Sequence, residues 1–241
     1  MNVYEEKVLG EVIKWKMLLL KKPSMLQRIS KEAQNKVNTY IPDKVHHVMT
    51  ESIKKMVQAT LVGSNISTKY NVENSRLSLE KKDELLSQKL NVYKKTAAVE
   101  GAGTGAGGIL LGIADFPLLL SIKMKFLFEV ANIYGYNIKN YEERVYLLYI
   151  FQLAFSSEKR KKEVFMYLEN WEEHKEKAKN LDWRIFQQEY RDHIDLIKML
   201  QMIPGLGAIV GAYANYNFLD QLGNTAKNCY RMRILKELGY K

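Results

Sequence analysis

Apolar residues recur along most of this chain in steps of three and four, the spacing of one face of an α-helix. Val8, Val12, Trp15 and Leu19 form such a stripe and predict a first helix over 3–22. Lys21-Lys22-Pro23 closes it, because cations suit the negative end of a helix dipole and proline halts the backbone ladder. A short helix follows over 24–39. Ile41-Pro42-Asp43 turns the chain, with Asp43 as N-cap of a helix reaching residue 62.

The stretch 63–76 is rich in Gly, Ser and Asn and reads as a loop, the one weak boundary in the chain. A charged helix over 78–99 runs into a glycine-rich run. After Asp115-Phe116-Pro117 an apolar helix reaches Tyr134, where Gly135 suits the C′ position. Asn140 with Glu143 resembles a capping box for a helix that is aromatic and aliphatic on one side from Tyr141 to Phe155. Ser157 caps a charged helix to residue 179, and Asp182 opens another to Met202. Pro204-Gly205 leads into a last helix over 206–238. Strand-like alternation and internal repeats are scarce. These elements predict an all-α fold: a single compact multi-helix domain over 1–241, with two glycine-rich hydrophobic segments.

Those segments are the most unusual feature. Gly101, Gly105, Gly108 and Gly112 fall on one helical face, as do Gly207, Gly211 and Asn215. Each glycine costs a helix about 1 kcal/mol against alanine, so a bare stripe implies a neighbour at close range. From Gly101 to Ala114 only fourteen residues are uncharged, short of the roughly 20 a membrane span needs. Met199 to Leu219 is long enough but contains Gln201, Pro204, Asn215 and Asn217. Buried helices are the expected reading, with hairpins that enter a bilayer as the alternative. Asp115 is expected to cap the helix that begins at Pro117, where a missing N–H costs nothing. The other reading of Asp115 is an ionisable group in a dry pocket.

The formal net charge of +10 favours an anionic partner. No nucleic-acid-binding signature accompanies it, so acidic lipid or an acidic protein face is the expected target. Lys14, Lys16, Lys21 and Lys22 around Trp15 are the candidate membrane contact. The lone Cys229 forms no internal disulfide, and Glu5, Glu6 and Glu11 are unlike the basic start of a signal peptide. A cytoplasmic protein, or one on the inner face of the membrane, is the expectation.

Motifs of known chemistry fail on context. Gly103-x-Gly105-x-x-Gly108 follows a helix where a dinucleotide site needs a strand. His46, His47, His174 and His193 lack zinc-site spacing, and Cys229 has no partner histidine in view. Glu142-Glu143 and Glu172-Glu173 are adjacent in sequence and read as solvated faces. No catalytic set, metal site or cofactor is expected.

The run Gly101-Ala-Gly-Thr-Gly-Ala-Gly-Gly, then Ala114-Asp115-Phe116-Pro117 and Ile133-Tyr134-Gly135-Tyr136, resembles the EcsC family. Pro204-Gly205-x-Gly207-Ala208 and Gly211-Ala212 with Asn215 agree with it, so the resemblance covers most of the chain. It implies an accessory protein that accompanies an ABC transporter, and places family candidates at Asp115, Pro117, Tyr134, Gly135 and Asn215. Transporter subunits and anionic lipid are then the expected partners. Two other classes stay open: a helical protein that binds a lipid or apolar ligand between its glycine-rich helices, and an enzyme centred on Asp115 near Asn215.

Overall fold

In a computed structural model the described residues are 2–21, 43–63, 70–106, 116–179, 184, 186, 188–190 and 207–240. Among them every regular element is helical. Helix α1 spans Val3–Leu20, α2 Asp43–Val62, α3 Leu79–Ala106, α4 Phe116–Tyr134 and α5 Tyr141–Phe155. Helix α6 spans Glu158–Glu169, α7 Trp171–Ala178 and α8 Gly207–Glu237, and a short 3₁₀ segment covers Val72–Arg76. The expected helix over 24–39 lies outside the described residues.

Local chemistry accounts for the boundaries. Asn2 and Glu5 form a full capping box at α1, each side chain bonded to the other's backbone N–H at 2.9 Å. That satisfies two donors which a helix start otherwise leaves without a partner. Ser157 caps α6 through the backbone N–H of Arg160, as its sequence position suggests. The expected single helix from there to 179 is broken, however. Asn170 (φ −116°, ψ 49°) leaves helical geometry and starts α7. The capping box expected at Asn140 is also absent: Asn140 is the N-cap but its side chain makes no cap bond.

Helix α5 is the centre of the fold. Every residue from Glu143 to Phe155 is buried, so the helix is enclosed on all faces and not on one. Its neighbours are distributed around it. Tyr146 meets Tyr230 of α8, Tyr149 meets Trp171 of α7, and Phe151 stacks on Phe186. Arg144 reaches across to α2 and donates to the carbonyl of Leu61. Glu143 and Arg144 on α5 are thereby tolerated inside, because their charged groups are engaged, whereas the buried amide of Gln152 has no hydrogen-bond partner among the described residues.

Helices α3 and α8 form the longest pairing, and they run antiparallel. Asp83 faces Arg231, Leu90 faces Gly223, and Lys94 faces Asp220 at 2.5 Å. At Gly223 an added Cβ would lie 2.6 Å from Leu90 Cδ1. The Leu90 side chain packs directly on the bare backbone of Gly223, outside the two glycine stripes, and a larger residue there would make the leucine turn aside. The stretch expected as a plain loop over 63–76 contains the 3₁₀ segment and is tied to α4. Asn132 accepts from the backbone N–H of Asn71 at 2.8 Å, and its carbonyl accepts from Asn74 at 3.0 Å.

Candidate functional site

The antiparallel register of α3 and α8 brings the C-terminal end of one beside the N-terminal end of the other. Gly101 and Gly105 lie in the last turns of α3, and Gly207 and Gly211 in the first turns of α8. Helix α4 begins at the same pole, since it runs antiparallel to α3: the Tyr93 and Phe126 rings are 5.2 Å apart and Lys89 pairs with Glu129 at 3.0 Å. Pro117 is the exposed second residue of α4. Asn215 is buried on α8, and its amide nitrogen has no hydrogen-bond partner. Gly108, Gly112 and Asp115 lie outside the described residues.

Helix α1 presents two unlike faces. Val8 and Val12 are buried, and Trp15 turns inward, edge-on to Phe165 at 5.8 Å. Lys16 is engaged as well, paired with Glu169 of α6. Lys14 and Lys21 are exposed, and Lys22 lies outside the described residues. The outward face is more apolar than the inward stripe suggested. Ile13, Met17 and Leu20 form a second row at i, i+4, i+7, and Leu18 is exposed about a quarter-turn round the helix from it. Met17 is 68% exposed and Leu18 72%. Beside that row Lys7, Lys14 and Lys21 repeat every seventh residue, which sets them in a line along the helix. The sequence carries this signal opposite the buried stripe, at positions that core periodicity leaves unmarked.

A buried polar network joins α1, α3, α4, α5 and α8. Asp83 accepts from Tyr134 at 2.5 Å, from Tyr4 at 2.8 Å and from Arg231 Nε at 2.8 Å. Arg231 also holds Glu11 of α1 at 2.7 Å. One turn on, Glu143 accepts from Tyr230 at 2.5 Å and from Arg233 at 2.7 Å. Glu142-Glu143 is therefore not a solvated face: Glu143 is buried against two donors. Burial raises its carboxyl pKa, and the Arg233 charge pulls it back down. The Tyr134 and Tyr230 rings stack at 5.1 Å, and burial pushes both phenols well up. Cys229 is fully buried and its thiol is raised by burial, the opposite of an activated nucleophile.

Both oxygens of Asp83 and of Glu143 are engaged, so the network fastens helices and presents no free base. A polar cleft of about 440 Å³ opens beside it, lined by Tyr4, Ser78, Asp83, Ser87 and Lys227 among others. Among the described residues no group of His, Cys, Asp and Glu could hold a metal ion. Among the same residues no helix is long and apolar enough to cross a membrane.

Residues 6–235 match the EcsC protein family. Over 230 residues the chain is 56% identical to Protein EcsC of Bacillus subtilis (strain 168), which covers 95% of this chain and 96% of that one. Uncharacterized protein YdbA of the same organism is 32% identical over 145 residues, 58% of this chain and 53% of that protein. No solved structure matches significantly. With a match that runs nearly end to end, the chain belongs to the EcsC protein family.

Proposed function

We propose that this protein is a non-enzymatic accessory protein of an ABC transporter, held peripherally on the cytoplasmic face of the membrane by the outward side of α1. The observation that carries this reading is the pairing of two rows on one exposed face. Ile13, Met17 and Leu20 give an apolar row, and Lys7, Lys14 and Lys21 a basic one. A helix so patterned lies in the plane of a bilayer, its apolar side chains among the acyl chains and its ammonium groups at the headgroups. Each lysine near an anionic surface contributes about 1 kcal/mol. Among the described residues Lys14 and Lys21 have no acidic partner to give up, and Lys7 has only Glu11 at 3.9 Å. The transporter association rests on family membership.

Flotation of the purified protein with vesicles tests the membrane part. Binding to anionic but not neutral vesicles, weakened by salt and abolished in Met17→Glu and in the Lys14→Glu/Lys21→Glu double variant, is the expected result. Absence of binding to anionic vesicles at low salt overturns it. Co-purification with the transporter's membrane subunit tests the other half.

A further inference from the structure

The outer faces of α3 and α4 share one spacing. On α3 Leu85, Lys89, Val92, Thr96 and Val99 follow steps of four, three, four and three. On α4 Leu118, Ile122, Lys125, Glu129 and Asn132 follow the same steps. That alternation sets each row in a line along its helix; the apolar members are Leu85, Val92 and Val99 on α3 and Leu118 and Ile122 on α4, with Lys89, Thr96, Lys125, Glu129 and Asn132 between and beyond them. The two helices run antiparallel, and an open groove of about 1070 Å³ lies between these rows. Its floor includes Leu85, Tyr93, Ile122 and Ile133. Leu85 to Val99 spans about 21 Å at a rise of 1.5 Å per residue, the length of roughly four helical turns.

The groove is an incomplete three-helix layer. Val92 is 60% exposed, Val99 74% and Leu118 46%. Val92 lines the groove, and Val99 and Leu118 extend its apolar surface toward the pole where α3 ends and α4 begins; a third helix laid along the groove would cover them. The charges at the rim select the sign of that helix. Glu129 is closed off, with Tyr93 donating to one oxygen at 2.7 Å and the Lys89 ammonium 3.0 Å from the other. Lys125 lines the groove, is exposed and has no acidic partner among the described residues, and Lys95, outside the lining, is exposed one turn from Val92 and Val99.

We propose that the groove between α3 and α4 docks an amphipathic helix of a partner protein, with an apolar stripe over Val92 and Ile122 and carboxylates facing Lys125 and Lys95. This rests on neither the membrane face of α1 nor the transporter association, and its test contains no vesicles.

Fluorescence anisotropy of the full-length protein with labelled peptides tests it. Three designed helical peptides, each roughly three heptads long, serve as probes: one with a leucine stripe and glutamate flanks, one with the same stripe and lysine flanks, and one of the glutamate composition with its stripe scrambled. The glutamate-flanked peptide should bind, and the other two about tenfold more weakly or less. Val92→Glu should abolish that binding, and Lys125→Glu should shift preference toward the lysine-flanked peptide. Both positions are exposed, so melting should be unchanged; if Val92→Glu lowers it, Lys125→Glu decides alone. Binding of the scrambled peptide as tightly as the striped one makes the attraction mere charge and overturns the proposal. So does binding of no peptide, while uptake of a dansylated fatty acid in its place would reassign the groove to a small apolar ligand.

Discussion

A side-chain carbon placed on Gly135 would lie 2.6 Å from the Cα of Ser75. Two requirements meet there. Gly135 ends α4 with φ +91°, and the pair of bonds Tyr136 N to Ala131 O and Gly135 N to Asn132 O forms a Schellman closure. The 3₁₀ segment that contains Ser75 then crosses directly over the glycine, strapped to Asn132. The left-handed backbone alone disfavours any other residue by about 1–2 kcal/mol. Contact with backbone atoms adds an overpacking cost of about 1–3 kcal/mol. Gly135→Ala should therefore lower stability by roughly 2–5 kcal/mol, the sum of these two terms, measured by urea unfolding. Gly10 is the control, because nothing lies within 4 Å of a Cβ there. Gly10→Ala should leave stability equal or raise it by up to about 1 kcal/mol. Equal losses at both positions would discard the account of Gly135.

Asp83 is the junction of α1, α3, α4 and α8. Asp83→Asn preserves the shape but removes the charge that Arg231 faces, and Arg231 is only 4% exposed. An uncompensated buried charge costs about 3–5 kcal/mol. Glu11 remains beside Arg231 at 2.7 Å, so the loss should fall toward the lower end of that range. Tyr4→Phe removes one donor to the same carboxylate at a part-buried position and should cost about 1.5 kcal/mol. Chemical denaturation of the two variants checks the order. If Tyr4→Phe proves the more damaging, the network is not organised around Asp83.

The stripe Val8, Val12, Trp15, Leu19 was legible because one strong period marks a helix packed on one side. The same logic fails at α5. A helix enclosed on all faces has no polar side to set the phase, and Glu143 looks like a surface residue until Tyr230 and Arg233, almost ninety positions on, fold against it. Glycine spacing predicts close helix contact along the two stripes. It could not point to Gly223, whose partner Leu90 is set by the α3–α8 register. The family was legible because its motifs are local runs such as Ile133-Tyr134-Gly135-Tyr136, readable without any tertiary pairing. The outward rows of α1 and the exposed apolar residues of α3 and α4 are also in the sequence. They become visible only once the structure says which face each helix has already used.

Lys227 gives a pH-dependent test of the same region. It lies on α8 one turn before Arg231 and is half-buried at the polar cleft. Burial, then repulsion from Arg231, pushes its amine below the usual 10.5, although Asp83 and Glu11 pull the other way. A base with a depressed pKa in the folded state binds its proton more readily when unfolded. Between the folded value and 10.5 the unfolded chain carries the extra proton, so stability rises with pH across that window. Below the window both states are charged and the folded state bears the full cost; above 10.5 neither is charged and the cost is gone. Lys227→Met removes the titration and keeps the stem. The variant should be more stable than the parent at neutral pH, and the advantage should shrink as pH climbs toward 10.5. Urea unfolding of both proteins along a pH series reads the difference directly, which cancels the contributions of the buried tyrosines common to both. An advantage that stays constant with pH would come from packing, and the charge account of Lys227 would fail.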